Sequence, residues 1–405
     1  MKRFRAIALG IVTSIGGFLE IGSIGTAEQA GAEFAYRLLW AIVLGTLCVG
    51  FLAEMSGRFA AVSGRTIADA MRERFGARFF AIPLVVVTIV SLAQLSVEIG
   101  GAGVALELLV GGTYRVWVIL VATFVWFILW RQTFGRIEHA TAILGLVTLV
   151  FAVAAVKTHP DYGAVARNAW PHGSNGGGAR YWFIVVSIIG ATISPYLLYF
   201  YSAGAIEDKW DKSYIVPNRI IAGIGMGFGS TLSIAILIIA AHVFHPVGAK
   251  VENYHDASRL LDGFFGQAGH WLFAVALLVA CLGAAFEVAL AISYFISQGL
   301  GWRWGEDLDP ALDSRFSLTY TVAILVAVVP MVIGIEPLKL TGITMALTAV
   351  ILPISTLPFL VMMNDTDYLG AHTNHALSNA VVFGVVVISS AIAVVALPLQ
   401  LLGGG

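Results

Sequence analysis

The chain has 405 residues, of which 59% are hydrophobic and 12% are charged, about half the ~25% usual in soluble domains. Its formal net charge is −1 and its mean hydropathy is +0.88. These values exclude a soluble globular protein, a disordered chain, a coiled coil and a nucleic-acid binder, and they leave an all-α polytopic membrane protein.

A helix needs roughly 20 apolar residues to cross the bilayer core. Eleven stretches are candidates, at about 6–31, 35–57, 80–110, 116–130, 140–156, 182–203, 217–243, 268–297, 317–335, 337–363 and 378–402, the fourth of them short. They form one transmembrane domain over residues 1–405, because no soluble segment between them is long enough for a second.

The chain opens Met1-Lys2-Arg3-Phe4-Arg5 and turns apolar, which imitates a secretory signal. Glu20 would interrupt the core of such a signal and ten further spans follow, so the segment is read as span 1. That span carries Gly16, Gly17, Gly22 and Gly25 around Glu20 and Ser23. Backbone inside hydrocarbon must satisfy its own hydrogen bonds, so a helix opened by glycines is tolerated where it lines a cavity. The loop from Arg58 to Arg78 holds five arginines and sets the charge bias between the two sides. It orients the N-terminus to the cytoplasm and the C-terminus outside, in a cell (plasma or inner) membrane.

Span 3 carries Gln94 and Glu98, which are four apart and share a helix face. Span 6 carries Gly190-Ala191-Thr192-Ile193-Ser194-Pro195-Tyr196, where Pro195 removes a backbone donor and opens the helix around Ala191. Spans 1 and 6 are corresponding members of two five-helix halves, at about 6–156 and 182–363, with 378–402 as an extra helix. Interrupted helices at matching places in two halves point to a midplane site in a secondary transporter. The bland alternative is that these glycines only let helices pack closely. Segments Asn168–Gly178 and Phe244–Gln267 are external loops, and span 8 holds Glu287 near its middle.

A charge at the bilayer centre costs about 2.5–3.5 kcal/mol, so an intramembrane acid pairs, faces a cavity or is protonated. Glu20, beside a helix break, is the candidate ligand. Glu98 and Glu287 are candidate proton or ion relays, with a structural hydrogen-bonding role as their alternative. Glu28, Glu54 and Glu107 are read as interfacial. The histidines fall at span ends or in loops. Trp40, Trp117, Trp130, Trp182 and Trp271 mark membrane interfaces. Cys48 and Cys281 sit in apolar runs, with no disulfide framework or thiolate metal cluster. No Gly-x-x-x-x-Gly-Lys loop is present, and no cofactor is expected.

Ala30-Gly31-Ala32-Glu33-Phe34-Ala35-Tyr36-Arg37-Leu38-Leu39-Trp40 is similar to the segment after helix 1 in the Nramp family of divalent-metal transporters. Val97-Glu98-Ile99-Gly100-Gly101, with Ala105-Leu106, is similar to its helix 3. Tyr199-Phe200-Tyr201-Ser202-Ala203 is similar to the end of its helix 6, and Leu357-Pro358-Phe359 to its helix 10. The resemblance implies a LeuT-type inverted repeat of helices 1–5 and 6–10, with helices 1 and 6 broken.

It also implies where the metal site falls. The family's Asp-Pro-Gly-Asn lands on Glu20-Ile21-Gly22-Ser23, and its Met-Pro-His on Ser194-Pro195-Tyr196. The helix 3 aspartate lands on Leu95 and the helix 10 glutamine on Val350. These departures define a divergent branch in which the soft thioether is lost. Thioether favours softer transition metals. The sequence therefore favours a hard divalent cation such as Mg²⁺ over Mn²⁺ or Fe²⁺.

Glu20, Ser23 and Ser194 are the expected metal ligands, with Gly22, Ala191 and Tyr196 completing the substrate site. The expected partners are a small ion or small solute, an unidentified coupling ion and the lipid bilayer. The alternative keeps the scaffold and gives Glu20 an organic cation, with Tyr196 and Phe18 as cation–π partners. A membrane enzyme would need a nucleophile–base pair or a metal cluster within the bilayer, and the sequence supplies neither.

Overall fold

The protein is described by a computed structural model covering residues 19–131, 143–171, 178–305, 308, 310 and 314–403. Among these residues every regular element is a helix. In chain order the principal ones are α1 (Ile21–Phe34), α2 (Leu39–Ser63), α3 (Ala77–Val110), α4 (Tyr114–Arg131) and α5 (Leu149–Lys157). They continue with α6a (Gly178–Thr192), α6b (Pro195–Glu207), α7 (Met226–Val243), α8 (Gln267–Leu300), α9 (Ser314–Val332), α10 (Pro337–Met363) and α11 (Ala376–Leu401).

Nine helical stretches among the described residues are long and apolar enough to cross a membrane. Ile143–Lys157 with Tyr162–Asn168, bent by 114°, makes a tenth. The eleven expected spans are accommodated because the first two share one stretch, Ile21–Ser63. At 1.5 Å per residue its 43 residues would run about 65 Å, twice the ~30 Å hydrocarbon core. Ala35 interrupts it at φ 49°, and α1 and α2 pack on the same two helices, α6a and α7. The chain therefore folds back between them.

Terminal chemistry sets the helix boundaries. Gly64 ends α2 in a left-handed conformation (φ 67°), with its N–H donating to Ala60 O. Thr66 caps the short helix Ile67–Phe75 by accepting from Asp69 N. Pro337 starts α10, and Glu336 before it accepts from Lys339 N at 2.6 Å. The long segment between α7 and α8 is ordered into short helical turns, with Tyr254, Leu260 and Leu261 buried.

Several glycines mark close helix approaches. A Cβ on Gly31 would lie 2.3 Å from Leu237 O, which brings α1 against α7. One on Gly190 would lie 1.9 Å from Met345 O, which brings α6a against α10. One on Gly22 would lie 2.6 Å from Met345 Cε. The same helix, α10, thus crosses both α1 and α6a. The outward faces of α3, α4, α9 and α11 expose Ile82, Ile89, Val116, Leu325 and Val395, apolar surface that requires lipid. The chain is an integral membrane protein.

Two expectations are corrected. Trp40 is buried, with its Nε1 donating to Tyr181 OH at 3.2 Å, and is no interface marker. Glu28 is fully buried within α1 rather than interfacial, and neither carboxylate oxygen has a hydrogen-bond partner. Met1–Arg5, Gly16, Gly17, Phe18, His139 and most of the 168–178 loop lie outside the described residues.

Candidate transport site between the helix breaks

The chain is extended at Glu20 (φ −112°, ψ 170°), and α1 begins at Ile21. It is extended again at Ser194 (φ −79°, ψ 123°), between α6a and α6b. Pro195 is the first residue of α6b, where its fixed φ suits a helix start and its missing N–H is not needed. The break therefore falls at Ile193 and Ser194, two residues beyond the expected position. Ala191 stays helical within α6a, but Pro195 offers no N–H four residues on, so its carbonyl loses its usual partner.

A side chain from α3 joins the two breaks. Gln94 Nε2 donates to Glu20 Oε2 at 2.8 Å and to Ser194 Oγ at 3.2 Å. Glu98, one turn further along α3, accepts from Ile21 N through Oε2 at 3.4 Å. Glu20 itself makes no capping bond, so a carboxylate from another helix serves the free N–H at the start of α1. Tyr254, from the ordered segment between α7 and α8, donates to Ile21 O at 3.3 Å. Both backbone groups of the residue after the first break are thus held from outside α1.

The remaining groups converge on the same space. Tyr196, second residue of α6b, sits beside the Glu20 carboxylate. Glu287 on α8 is close enough to act on Glu20, Glu98 and Tyr196 through space. Cys281, almost two turns earlier on α8, lies against Glu98. Glu20, Ser23, Gln94, Glu98, Ser194 and Tyr196 are each at most 5% exposed, so the site is sealed from solvent. Glu20 Oε1 and Glu98 Oε1 are both buried without a hydrogen-bond partner. Among the described residues no three His, Cys, Asp or Glu side chains form a metal cluster.

The expected site residues therefore fall together, and three further contributors were missed. Gln94 was noted only as sharing a face with Glu98; its link to Ser194 spans 100 residues of sequence. Met345 places its Sδ against Gly22, and Cys281 places a thiol against Glu98. Both are apolar in pattern, and nothing in their local sequence distinguishes them from core. The other acids are peripheral. Glu54 is paired with Arg58 at 2.9 Å, and Glu107 lies 3.5 Å from His255.

The extended start of α1 facing the break in α6, around a sealed polar site in a bundle that needs lipid, defines a membrane transporter of the LeuT-type class. The solved structure of a manganese transporter from Eremococcus coleocola superimposes with a TM-score of 0.81 at 21% identity, covering 96% of this chain and 85% of that one. Mhp1, a nucleobase-cation-symport-1 family transporter, matches more loosely, with a TM-score of 0.66 at 16% identity, covering 97% of this chain and 90% of that one. The Nramp profile, described as natural resistance-associated macrophage protein-like, matches residues 10–398, and the chain belongs to this family. Among its relatives is the divalent metal cation transporter MntH of Deinococcus radiodurans, 26% identical over 89% of this chain and 82% of its own length. The MntH of Aeromonas hydrophila is 24% identical, covering 94% and 92%. These relatives are transporters, not enzymes.

Proposed function

We propose that the protein carries a divalent metal cation through the membrane by alternating access, and that the cation binds between the two helix breaks. The observation that carries this reading is Gln94 bridging Glu20 and Ser194 while Glu20 Oε1 remains buried and unpartnered. A carboxyl oxygen held in place without a partner in a dry site is an incomplete ligand set, and a cation completes it. Glu20 supplies the charge, and Ser23 and Ser194 supply hydroxyl oxygens. The carbonyls near Gly22 and Ala191 supply further oxygens. A turned Gln94 amide presents its own carbonyl oxygen. Tyr196 closes one side.

Carboxylate, carbonyl and water oxygens suit Mg²⁺, Ca²⁺ and Mn²⁺ alike. Losing a thioether at position 194 therefore does not argue against manganese. Met345 and Cys281 also keep sulfur at the edge of the site. The relatives named above are divalent-metal and manganese transporters, so Mn²⁺ is the proposed cargo and the preference for Mg²⁺ is set aside. The same relatives leave the organic-cation alternative without support.

Glu98 and Glu287 are proposed as relay groups for a coupling ion, with Glu98 also anchoring α1. The two halves, 6–156 and 182–363, are proposed to move against each other around the site. The basic side is proposed to face the cytoplasm in a plasma or inner membrane.

The test is ⁵⁴Mn uptake into proteoliposomes by the wild type and by Glu20→Gln, with Mg²⁺ as competitor. The variant is expected to lose saturable uptake while its melting temperature stays near that of the wild type. Undiminished uptake in Glu20→Gln would remove the proposed site. Uptake abolished by Mg²⁺ at the Mn²⁺ concentration would restore the hard-ion reading.

A further inference from the structure

Away from the breaks, a cavity of about 680 Å³ opens between α2, the start of span 7 and the N-terminal end of α11. Its polarity changes along its length. One end holds Glu54, Arg58 and Arg219, with His375 beside them. The other runs past Leu47 and Gly50 on α2 and past Gly223 and Gly227 on span 7. Glu54 and Leu47 are seven residues apart and Arg219 and Gly227 eight, which places about 10–12 Å of helix between the polar and apolar ends. Arg219 stands near the start of the apolar span, at the depth of the membrane interface.

The charge at the polar end is unbalanced. Arg58 grips Glu54 with two bonds, Nε to Oε1 at 2.9 Å and Nη2 to Oε2 at 3.0 Å. Its other donors go to Asn374 Oδ1 at 2.7 Å and to His372 O. Glu54 is therefore already neutralised. Arg219 adds a second cation, 3.8 Å from Glu54 with its side chain 64% exposed.

The apolar end is unusually smooth. Residues Ile221–Gly225 form a π-helical turn, a feature frequent at functional sites. Gly223 and Gly227 are not required by the protein's own packing, because a Cβ on either would meet no atom within 4 Å. On Gly50 it would meet only Ala222 O, at 3.9 Å. These glycines leave a trough of bare backbone open to the bilayer.

We propose that this groove is a binding site for an anionic phospholipid. The headgroup phosphate pairs with the Arg219 guanidinium, and one acyl chain lies in the glycine trough against Leu47 and Phe51. A small soluble anion would use the arginine but not the apolar end. A neutral lipid would use the trough but leave Arg219 unanswered. The groove opens on the same end of α2 as the basic Arg58–Arg78 loop, so both features meet one leaflet. The proposal is independent of the cargo.

The test exchanges purified full-length protein into neutral detergent with phosphatidylglycerol or phosphatidylcholine and counts retained lipid by native mass spectrometry. The wild type is expected to retain phosphatidylglycerol about tenfold over phosphatidylcholine. Arg219→Gln is expected to reduce that preference to within twofold, and Arg219→Lys, which keeps the charge, to preserve it. Gly227→Leu, which fills the trough, is expected to lower retention of both lipids. Equal retention of the two lipids by the wild type overturns the proposal. So does a preference that survives Arg219→Gln, or retention that Gly227→Leu leaves unchanged.

Discussion

Replacing Gln94 by Leu removes the side chain that links the two helix breaks while keeping a buried residue of similar volume. Two hydrogen bonds are lost, one to a carboxylate at 2.8 Å and one to a hydroxyl at 3.2 Å. A hydrogen bond to a charged group contributes about 1.5–3 kcal/mol, and a neutral one about 1 kcal/mol. If the bond to Glu20 serves to aim its free oxygen at the cation, most of the larger amount is lost from binding. At 1.4 kcal/mol per decade, that weakens Mn²⁺ affinity about 10- to 100-fold. Ser194→Ala removes only the weaker link and one hydroxyl ligand, and is expected to cost about fivefold. Calorimetric titration of the purified protein reads both, and a melting curve on each sample separates lost binding from lost folding. If Gln94→Leu binds Mn²⁺ within twofold of wild type, or binds more weakly than wild type only to the extent of Ser194→Ala, the bridge does not position Glu20 and the argument fails.

Glu28 is buried in α1 with both oxygens unpartnered, an arrangement that costs free energy. Glu28→Leu is expected to raise stability by about 1–3 kcal/mol in chemical denaturation, and a lower midpoint would show that the acid has a partner in use. Gly190→Ala and Gly31→Ala press a Cβ onto backbone oxygens at 1.9 and 2.3 Å, and each is expected to destabilise by about 1–3 kcal/mol. Gly227→Ala, facing open space in a helix, should be neutral or slightly stabilising; equal melting temperatures for all three variants would refute the packing assignment. Arg58→Leu removes the bidentate partner of the largely buried Glu54, leaving it the exposed Arg219, and removes the link to His372 and Asn374. A loss of about 1.5–3 kcal/mol and faster hydrogen exchange over residues 370–375 are expected, and unchanged exchange would argue against this anchor.

Much of this protein was legible one residue at a time. Eleven long apolar runs specify membrane helices because a helix satisfies its own backbone hydrogen bonds within hydrocarbon. Pro195 specifies a helix boundary because it lacks an N–H, and the boundary fell within two residues of it. Glu20 stood out because a charge in an apolar span needs a reason. In span 6 packing and the break fall to different residues, Gly190 meeting α10 and Ser194 opening the chain before Pro195.

What the sequence alone determined is local: which segments cross, where two of them break, and which acids lie inside. What only the tertiary structure decided is who faces whom. Gln94 reaches Glu20 across 74 residues and Ser194 across 100, and Glu98 caps a helix that begins 77 residues earlier. Met345, Cys281 and the basic groove at Arg219 have no signature in hydropathy, because periodicity reports burial and not the identity of the neighbour. Helix packing assigns those neighbours, and with them the second oxygen, the edge sulfurs and the lipid-facing trough that local pattern cannot encode.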